Sequence, residues 1–237
     1  MAHQKVLITG IHIGLGHALA KKCLAAGSRV YGVSRTRPPD LADESGLRFA
    51  QLDLRQFHDI DGVLAELLDG VTSLDLALLN AGVLGEIKDL RDSSLEELQN
   101  VMDINVWANK AVIDTLLRTT QVSQVVAISS GAALNGSGGW GAYAISKSAL
   151  NLLVRVYAHE HSDTHFTALA PGIVDTNMIR DILAQPEEPR HPANARIREA
   201  QKEGRVVSPD VAAANLLARI PDLLEQPSGA YLDIRQM

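Results

Sequence analysis

Apolar residues along this chain fall into short unbroken runs separated by segments of helical period. Val6-Leu7-Ile8 is the first run, Arg29–Ser34 (RVYGVS) the second and Leu47–Leu52 (LRFAQL) the third. Leu74–Leu79 (LDLALL), Gln124–Ser129 (QVVAIS) and Phe166–Ala170 continue the series. Continuous runs of this length, bounded by turn residues, predict strands buried on both faces. Between them, the pattern around Ala18, Leu19, Cys23 and Leu24 predicts a helix that Gly27 stops. A second helix is expected around Ile60–Leu68. Ser94, with Glu96 and Glu97 behind it, caps a long one running to about Leu117 through Leu98, Val101, Ile104 and Val112. A further helix carries Tyr143 and Lys147. Alternating strand and helix predict a single doubly wound α/β domain over residues 1–237, a parallel sheet with helices on both faces and ligands at the carboxyl ends of the strands.

One stretch departs from this regularity. Asp175–Val206 holds Pro186, Pro189 and Pro192, mixed charges and little periodicity before Ala195. A loop of this length following a strand end predicts a substrate-covering lid at about 175–206, with a plain mobile insertion as the alternative.

Composition narrows the class. The chain has 237 residues, 46% of them hydrophobic and 21% charged, enough for a proper core. A net charge of −6 without a basic stripe argues against nucleic acid and against a polybasic membrane contact. No apolar run reaches the length of a membrane span, and the one in Met1–Gly10 is too short for a signal segment. Cys23 is the one cysteine, so no internal disulfide can form; its apolar neighbours predict a buried core residue. The expected setting is the cytoplasm.

The candidate chemistry sits at the strand ends. Thr9-Gly10-Ile11-His12-Ile13-Gly14-Leu15-Gly16 closes the first strand and opens the first helix, where glycines let the backbone approach a pyrophosphate and unpaired N–H groups favour negative charge. His12 lies inside that turn as filler. Tyr143 and Lys147, four apart on a helix, can share one face, and a cation near a phenol favours its ionised form. After the second strand come Ser34-Arg35-Thr36-Arg37, with no acid before Asp40. A guanidinium there can grip the 2′-phosphate of NADP, where a carboxylate would repel it. The cofactor favoured is therefore NADP(H), held by Ser34 and Arg35, with NAD(H) as the alternative. His159, Glu160, His161 and His165 cluster in sequence, but the pattern fits a solvated helix end and no metal is expected. No G-x-S-x-G surrounds any serine, which argues against a hydrolase.

Taken together, Thr9-Gly10xxxGly14xGly16, Asn80-Ala81-Gly82, Asn105, Ser130, Tyr143xxxLys147 and Pro171-Gly172-Ile173-Val174-Asp175-Thr176 resemble the short-chain dehydrogenase/reductase family over nearly the whole chain. PGIVDT and the ending Ser228–Arg235 look like its sepiapterin and benzil reductase branch. The resemblance implies a seven-stranded sheet in the order 3-2-1-4-5-6-7 and an NADP-dependent oxidoreductase acting on a ketone or aldehyde. Tyr143 is then the general acid or base, and Lys147 lowers its pKa and binds the nicotinamide ribose. Ser130 holds the substrate oxygen, and Asn105 anchors a water in a proton relay. It also implies cofactor contacts from Gly10, Ile11, Ile13, Gly14, Leu15 and Gly16 in the turn. Asp53 and Leu54 would contact the adenine, with further contacts from Asn80, Ala81, Gly82, Pro171, Gly172, Val174 and Thr176. Leu84, Ala132, Trp140, Ile173, Met178 and Ile179, by their place near the motifs, are the expected walls of an apolar substrate pocket. The partner would be a small carbonyl or alcohol, and the family's habit implies a homodimer or homotetramer built on the two long helices. A non-catalytic NADP(H)-binding sensor is the competing reading.

Overall fold

The computed structural model describes residues 4–237; residues 1–3, where the expected domain begins, lie outside the described residues. Strand and helix alternate as β1 (Lys5–Thr9), α1 (Gly14–Ala25), β2 (Arg29–Ser34), β3 (Leu47–Gln51), α2 (Phe57–Leu67) and β4 (Ser73–Leu79). The second half continues with α3 (Leu95–Met102), α4 (Ala108–Thr119), β5 (Gln121–Ile128), the short α5 (Ala132–Asn135), α6 (Gly141–Glu160) and β6 (His165–Ala170). Then come α7 (Asn177–Ala184), α8 (Pro192–Lys202), α9 (Pro209–Leu223) and β7 (Ala230–Asp233). The strands form one seven-stranded sheet in the order β3-β2-β1-β4-β5-β6-β7, every neighbouring pair parallel.

Period-two alternation divides each apolar strand between two cores. On β1, Leu7 joins one cluster while Val6 and Ile8 join the other; on β5, Val125 and Ala127 oppose Val126 and Ile128 in the same way. The first cluster is closed by α2, α4 and α6 through residues such as Leu64, Val112 and Leu150. The second is closed by α1 and α9 through Leu19 and Leu216. With both faces covered, the strands carry no polar face, which is why they read as unbroken apolar runs. Strand order reverses between β1 and β4, and the chains leaving those two strands part there to open a cleft.

The long helix starts where its cap predicts. The Ser94 side chain accepts from Glu97 N–H while the Glu97 carboxylate accepts from Ser94 N–H, a reciprocal capping box. It does not run evenly to Leu117, because Asp103–Trp107 forms a π turn between α3 and α4. Such a turn inserts an extra residue and re-aims its neighbours, and here it drives Asn105 into the interior with no exposure.

The 175–206 stretch differs most from expectation, since it contains two helices. Pro192, which reads as a breaker, stands at the first position of α8, where a missing N–H costs nothing. The ends of the excursion are stitched together: Asp175 N–H donates to Val207 O at 2.8 Å and Val207 N–H to Ile173 O at 3.0 Å. Arg198 ties the helices to each other by donating to the Leu183 and Gln185 carbonyls.

Candidate active site

The Thr9 hydroxyl joins the two strand ends that frame the cleft. It accepts from Asn80 N–H and Ala81 N–H, both at 3.0 Å, and the Asn80 amide returns a bond to Thr9 O at 3.1 Å. Gly10 turns away from β1 with φ of +76°, and a Cβ on Gly16 would lie 2.3 Å from both Gly10 O and Asn80 Nδ2. Close approach of backbone to backbone, more than flexibility, requires glycine at 16. The helix that follows opens at Ile13 without a side-chain cap, so its first-turn N–H groups face the cleft unpaired by any side chain. An anionic pyrophosphate fits that position.

The cleft has a volume of about 1120 Å³ and runs along the carboxyl ends of the strands. Gly10, Ile13, Gly14 and Leu15 line it at one end, with Asn80–Gly82 beside them and Pro171, Gly172, Val174 and Thr176 across from them. Two residues of the expected turn set do not border it. The Ile11 side chain is fully buried beneath β2, its Cδ1 filling the space a Cβ on Gly32 would need, and Gly16 is covered by Asn80. Both support the turn from behind. His12 lines the cleft, and its Nδ1 is buried without a hydrogen-bond partner among the described residues.

At the end of β2 the two arginines part. Arg37 folds back, donating to Ala42 O at 2.8 Å and lying 5.9 Å from the centre of the Phe49 ring. Arg35 is exposed along the cleft and makes no ion pair among the described residues. Ser34 also borders the cleft, but its hydroxyl hydrogen is committed to Thr36 O at 2.7 Å, so of the two Arg35 is the one with donors to offer. Asp53 and Leu54 line the same region, with the Asp53 carboxylate held by Arg55 at 2.6 Å and kept below the usual carboxylate range by that bond. Sequence reasoning passed over Arg55.

The other end holds Ser130, Tyr143 and Lys147. On α6, Tyr143, Lys147, Leu150, Val154 and Tyr157 form one buried stripe at helical spacing, which places the phenol and the amine at the cleft floor. Ser130 faces the Tyr143 hydroxyl closely enough to act on its titration, and both residues line the cleft. Contrary to the expected lowering, burial raises the phenol above the ordinary tyrosine range, and the Ser130 hydroxyl only partly opposes it. Lys147 Nζ lies over the Tyr143 ring, 5.7 Å from its centre, and donates to Ile128 O at 2.8 Å. Burial brings Lys147 itself down to about 8.

Asn105 does not line the cleft. Its side chain bonds both backbone groups of Val83, at 2.9 and 2.8 Å, and the Ser146 hydroxyl at 2.9 Å, tying the loop after β4 to α6 one residue before Lys147. A Cβ on Gly82 would sit 3.1 Å from Asn105 Oδ1 and 3.3 Å from Lys147 Nζ, so glycine lets the two groups approach that loop.

Leu84, Ala132, Trp140, Ile173, Met178 and Ile179 all line the cleft beyond Tyr143. Trp140 meets the Tyr143 ring edge-on at 6.3 Å, and its indole N–H donates to Asn194 on α8 at 2.9 Å. His191 Nε2 lies 3.1 Å from Asp89, Arg190 bonds the same carboxylate at 2.8 Å, and Arg196 donates to the Ser137 hydroxyl. None of these hydrogen bonds was visible in sequence, because each joins positions 54 or more apart. The histidine group disperses: His159 and Glu160 end α6, His161 caps it, and His165 opens β6 with Nε2 2.9 Å from Gln226 O. Cys23 is buried, and its thiol is pushed up to about 11. Among the described residues, no helix is long and apolar enough to cross a membrane.

The family model for short chain dehydrogenase matches residues 4–187. Benzil reductase ((S)-benzoin forming) of Bacillus subtilis is 31% identical, covering 97% of this chain and 98% of its own. Sepiapterin reductase of Xenopus laevis is 29% identical, covering 96% and 94%. Among solved structures, the KRED1-Pglu enzyme superposes with a TM-score of 0.86 at 24% identity over 97% of this chain and 100% of its own. The NADPH-bound carbonyl reductase from chicken fatty liver does so at 0.78 and 22% over 99% and 98%. The matched sequence, the sheet order and the residues gathered in the cleft agree: this chain belongs to the short-chain dehydrogenase family of oxidoreductases.

Proposed function

We propose that the protein is an NADP(H)-dependent carbonyl reductase that converts ketones or aldehydes to alcohols, with Tyr143 as the proton donor. The observation that carries this reading is the gathering of Ser130, Tyr143 and Lys147 at the floor of a cleft whose far end offers an uncapped helix terminus and Arg35. The dinucleotide, when bound, supplies the hydride. Ser130 holds the carbonyl oxygen, and the phenol, kept protonated by burial, delivers its proton as charge develops there. In this reading Lys147 turns from Ile128 O toward the nicotinamide ribose, and Asn105 holds the segment from which it reaches. NADP(H) is favoured over NAD(H) because Arg35 lies exposed along the cleft while the nearby Asp53 carboxylate is held by Arg55; a relative's NADPH-bound structure is consistent with that choice.

The likeness to benzil and sepiapterin reductases supports a bulky neutral carbonyl substrate, and the apolar far wall of the cleft suits one. Residues 175–206 act as its lid. The protein works in the cytoplasm as a homodimer or homotetramer, with exposed Trp107, Leu152 and Val156 on the long helices available for self-contact.

The test is NADPH oxidation at 340 nm with aryl diketones, ketones and aldehydes, run with Tyr143→Phe alongside. The variant should lose roughly 100–10,000-fold in kcat/KM while binding NADPH as before. Tight NADPH binding by the native protein with no turnover of any carbonyl would instead establish a nucleotide sensor.

A further inference from the structure

The end of β7 brings to the cleft a side chain that the reduction chemistry leaves unused. Asp233 closes the strand with its side chain only 6% exposed, and the turn Ile234–Gln236 then carries Arg235 back over it. The carboxylate accepts from Arg235 N–H at 3.0 Å and from Nε at 2.9 Å, and Nη2 bonds its second oxygen. The buried acid therefore fixes the guanidinium in one orientation, while the arginine side chain stays 53% exposed and borders the cleft.

Two neighbouring glycines locate it in the cleft. A Cβ on Gly131 would lie 3.5 Å from Arg235 Nη2, and one on Gly172 would lie 3.6 Å from Arg235 Cγ and Cδ. The guanidinium thus sits between the turn that follows Ser130 and the turn that follows Pro171, at the reacting end of the cleft. Of its five N–H bonds, Nε–H and one on Nη2 go to Asp233. The Nη1 pair and the second Nη2 hydrogen make no hydrogen bond among the described residues. Asp233 also cancels the charge, so the head offers directed donors rather than a net cation. Beside an apolar wall, that favours a neutral oxygen acceptor over a carboxylate.

We propose that Arg235 is a specificity-determining residue that hydrogen-bonds a second oxygen next to the carbonyl being reduced, so that the site selects vicinal dicarbonyls and their α-hydroxy ketone products. The proposal rests on the reductase reading above. In the reaction one carbonyl carbon takes the hydride and its oxygen takes the Tyr143 proton, while the dihydronicotinamide becomes the oxidised nucleotide. The second carbonyl, held by Arg235, keeps its oxidation state.

The test compares benzil with deoxybenzoin, which has the same two rings and one oxygen fewer, for the native protein and for Arg235→Met and Arg235→Lys. Phenylglyoxylate probes the anionic case. A site that hydrogen-bonds the second oxygen should prefer benzil, and Arg235→Met should reduce the benzil-to-deoxybenzoin ratio of kcat/KM by about 10–100-fold. Arg235→Lys keeps the pairing with Asp233 but loses the fork, so it should fall between. NADPH affinity, read by quenching of protein fluorescence, should change less than about threefold. An unchanged ratio in either variant, provided its melting temperature stays near the native one, overturns the assignment. So does a loss of NADPH affinity that matches the loss of activity, or a native preference for phenylglyoxylate. A native protein that oxidises NADPH with other ketones or aldehydes but with none of these three also overturns the assignment, whereas one that oxidises it with no carbonyl at all removes the reductase reading itself, which is a different result.

Discussion

The wall of the cleft formed by the ends of β1 and β4 is held by backbone atoms, the Thr9 hydroxyl and the Asn80 amide. The wall formed by α7, α8 and the loop at 136–140 is held by side chains meeting from positions as far as 102 residues apart. NAD(H) and NADP(H) share the same pyrophosphate, so a rigid wall built from close backbone contacts suits either. A substrate wall held by a few exchangeable side-chain contacts can be altered one residue at a time without unfolding the sheet. The rigid wall should therefore fail abruptly under substitution, and the other by degrees.

The change most damaging to the fold of the rigid wall should be Gly16→Ala. The added methyl would stand 2.3 Å from Gly10 O and from the Asn80 amide, and neither backbone nor a doubly bonded amide can move aside cheaply. Overpacking of this kind costs roughly 1–3 kcal/mol. The strain falls on the turn that would hold the pyrophosphate, so NADPH binding should weaken by at least about tenfold as the urea midpoint drops. Unaltered binding and stability would mean the turn is softer than its contacts indicate.

Lys147→Met should act in the opposite direction on stability. Burial takes this amine from 10.5 to about 8, equivalent to about 3 kcal/mol. Because the folded-state value lies below the unfolded one, the charged amine costs stability below pH 8, and that cost fades as pH rises from 8 toward 10.5. The bond to Ile128 O returns part of it. The variant should thus be more stable than the native protein by roughly 1–3 kcal/mol at pH 7, with the difference shrinking between pH 8 and 10 and activity lost throughout. Chemical denaturation across that range decides it. A constant difference would show that the ammonium is not paying for its burial.

Legibility followed the same division. Arg29–Ser34 was read to the residue, and the strands at Leu47, Leu74 and Phe166 to within one, because unbroken apolar runs are a local signal. The glycine turn, Ser130, Tyr143 and Lys147 were legible through spacing and family likeness. What spacing could not convey was orientation: Lys147 turned toward Ile128 O, Arg37 folded onto Phe49, and Asn105 moved inward by a π turn. The helix α9 went unread although Ser208-Pro209-Asp210 is a start signal, its serine accepting from Val211 N–H. The helices α7 and α8 were hidden because prolines at 186, 189 and 192 read as breakers, whereas Pro192 begins a helix.

Arg35 and Arg37 allow a sharper test of the nucleotide wall, since composition treats them alike and geometry does not. Loss of a charged donor to phosphate costs roughly 1.5–3 kcal/mol, so Arg35→Ala should weaken NADPH binding by about 10–100-fold and leave NADH binding nearly unchanged. Arg37→Ala should change either by less than about threefold. Equal losses for the two variants would point to a diffuse electrostatic effect of the turn.

The smallest effect should come from the opposite wall. Asn194 accepts from the Trp140 indole at 2.9 Å, and this bond, with Ser137–Arg196 and Asp89–His191, holds α8 against the loop before α6. Asn194→Leu keeps the branched outline and removes the acceptor, leaving a partly buried indole N–H unpaired at a cost of about 1–3 kcal/mol. Trp140 also touches the Tyr143 ring, so the indole should lose its fixed angle and the wall facing a bulky substrate should loosen. Because two further contacts remain, the lid should stay docked for most of the time. The expected result is a rise in KM of roughly threefold to tenfold for aryl ketones, with kcat and NADPH affinity little changed. If KM holds and kcat falls instead, the contact governs the chemical step or product release rather than substrate retention, and the two walls are more tightly coupled than their separate construction implies.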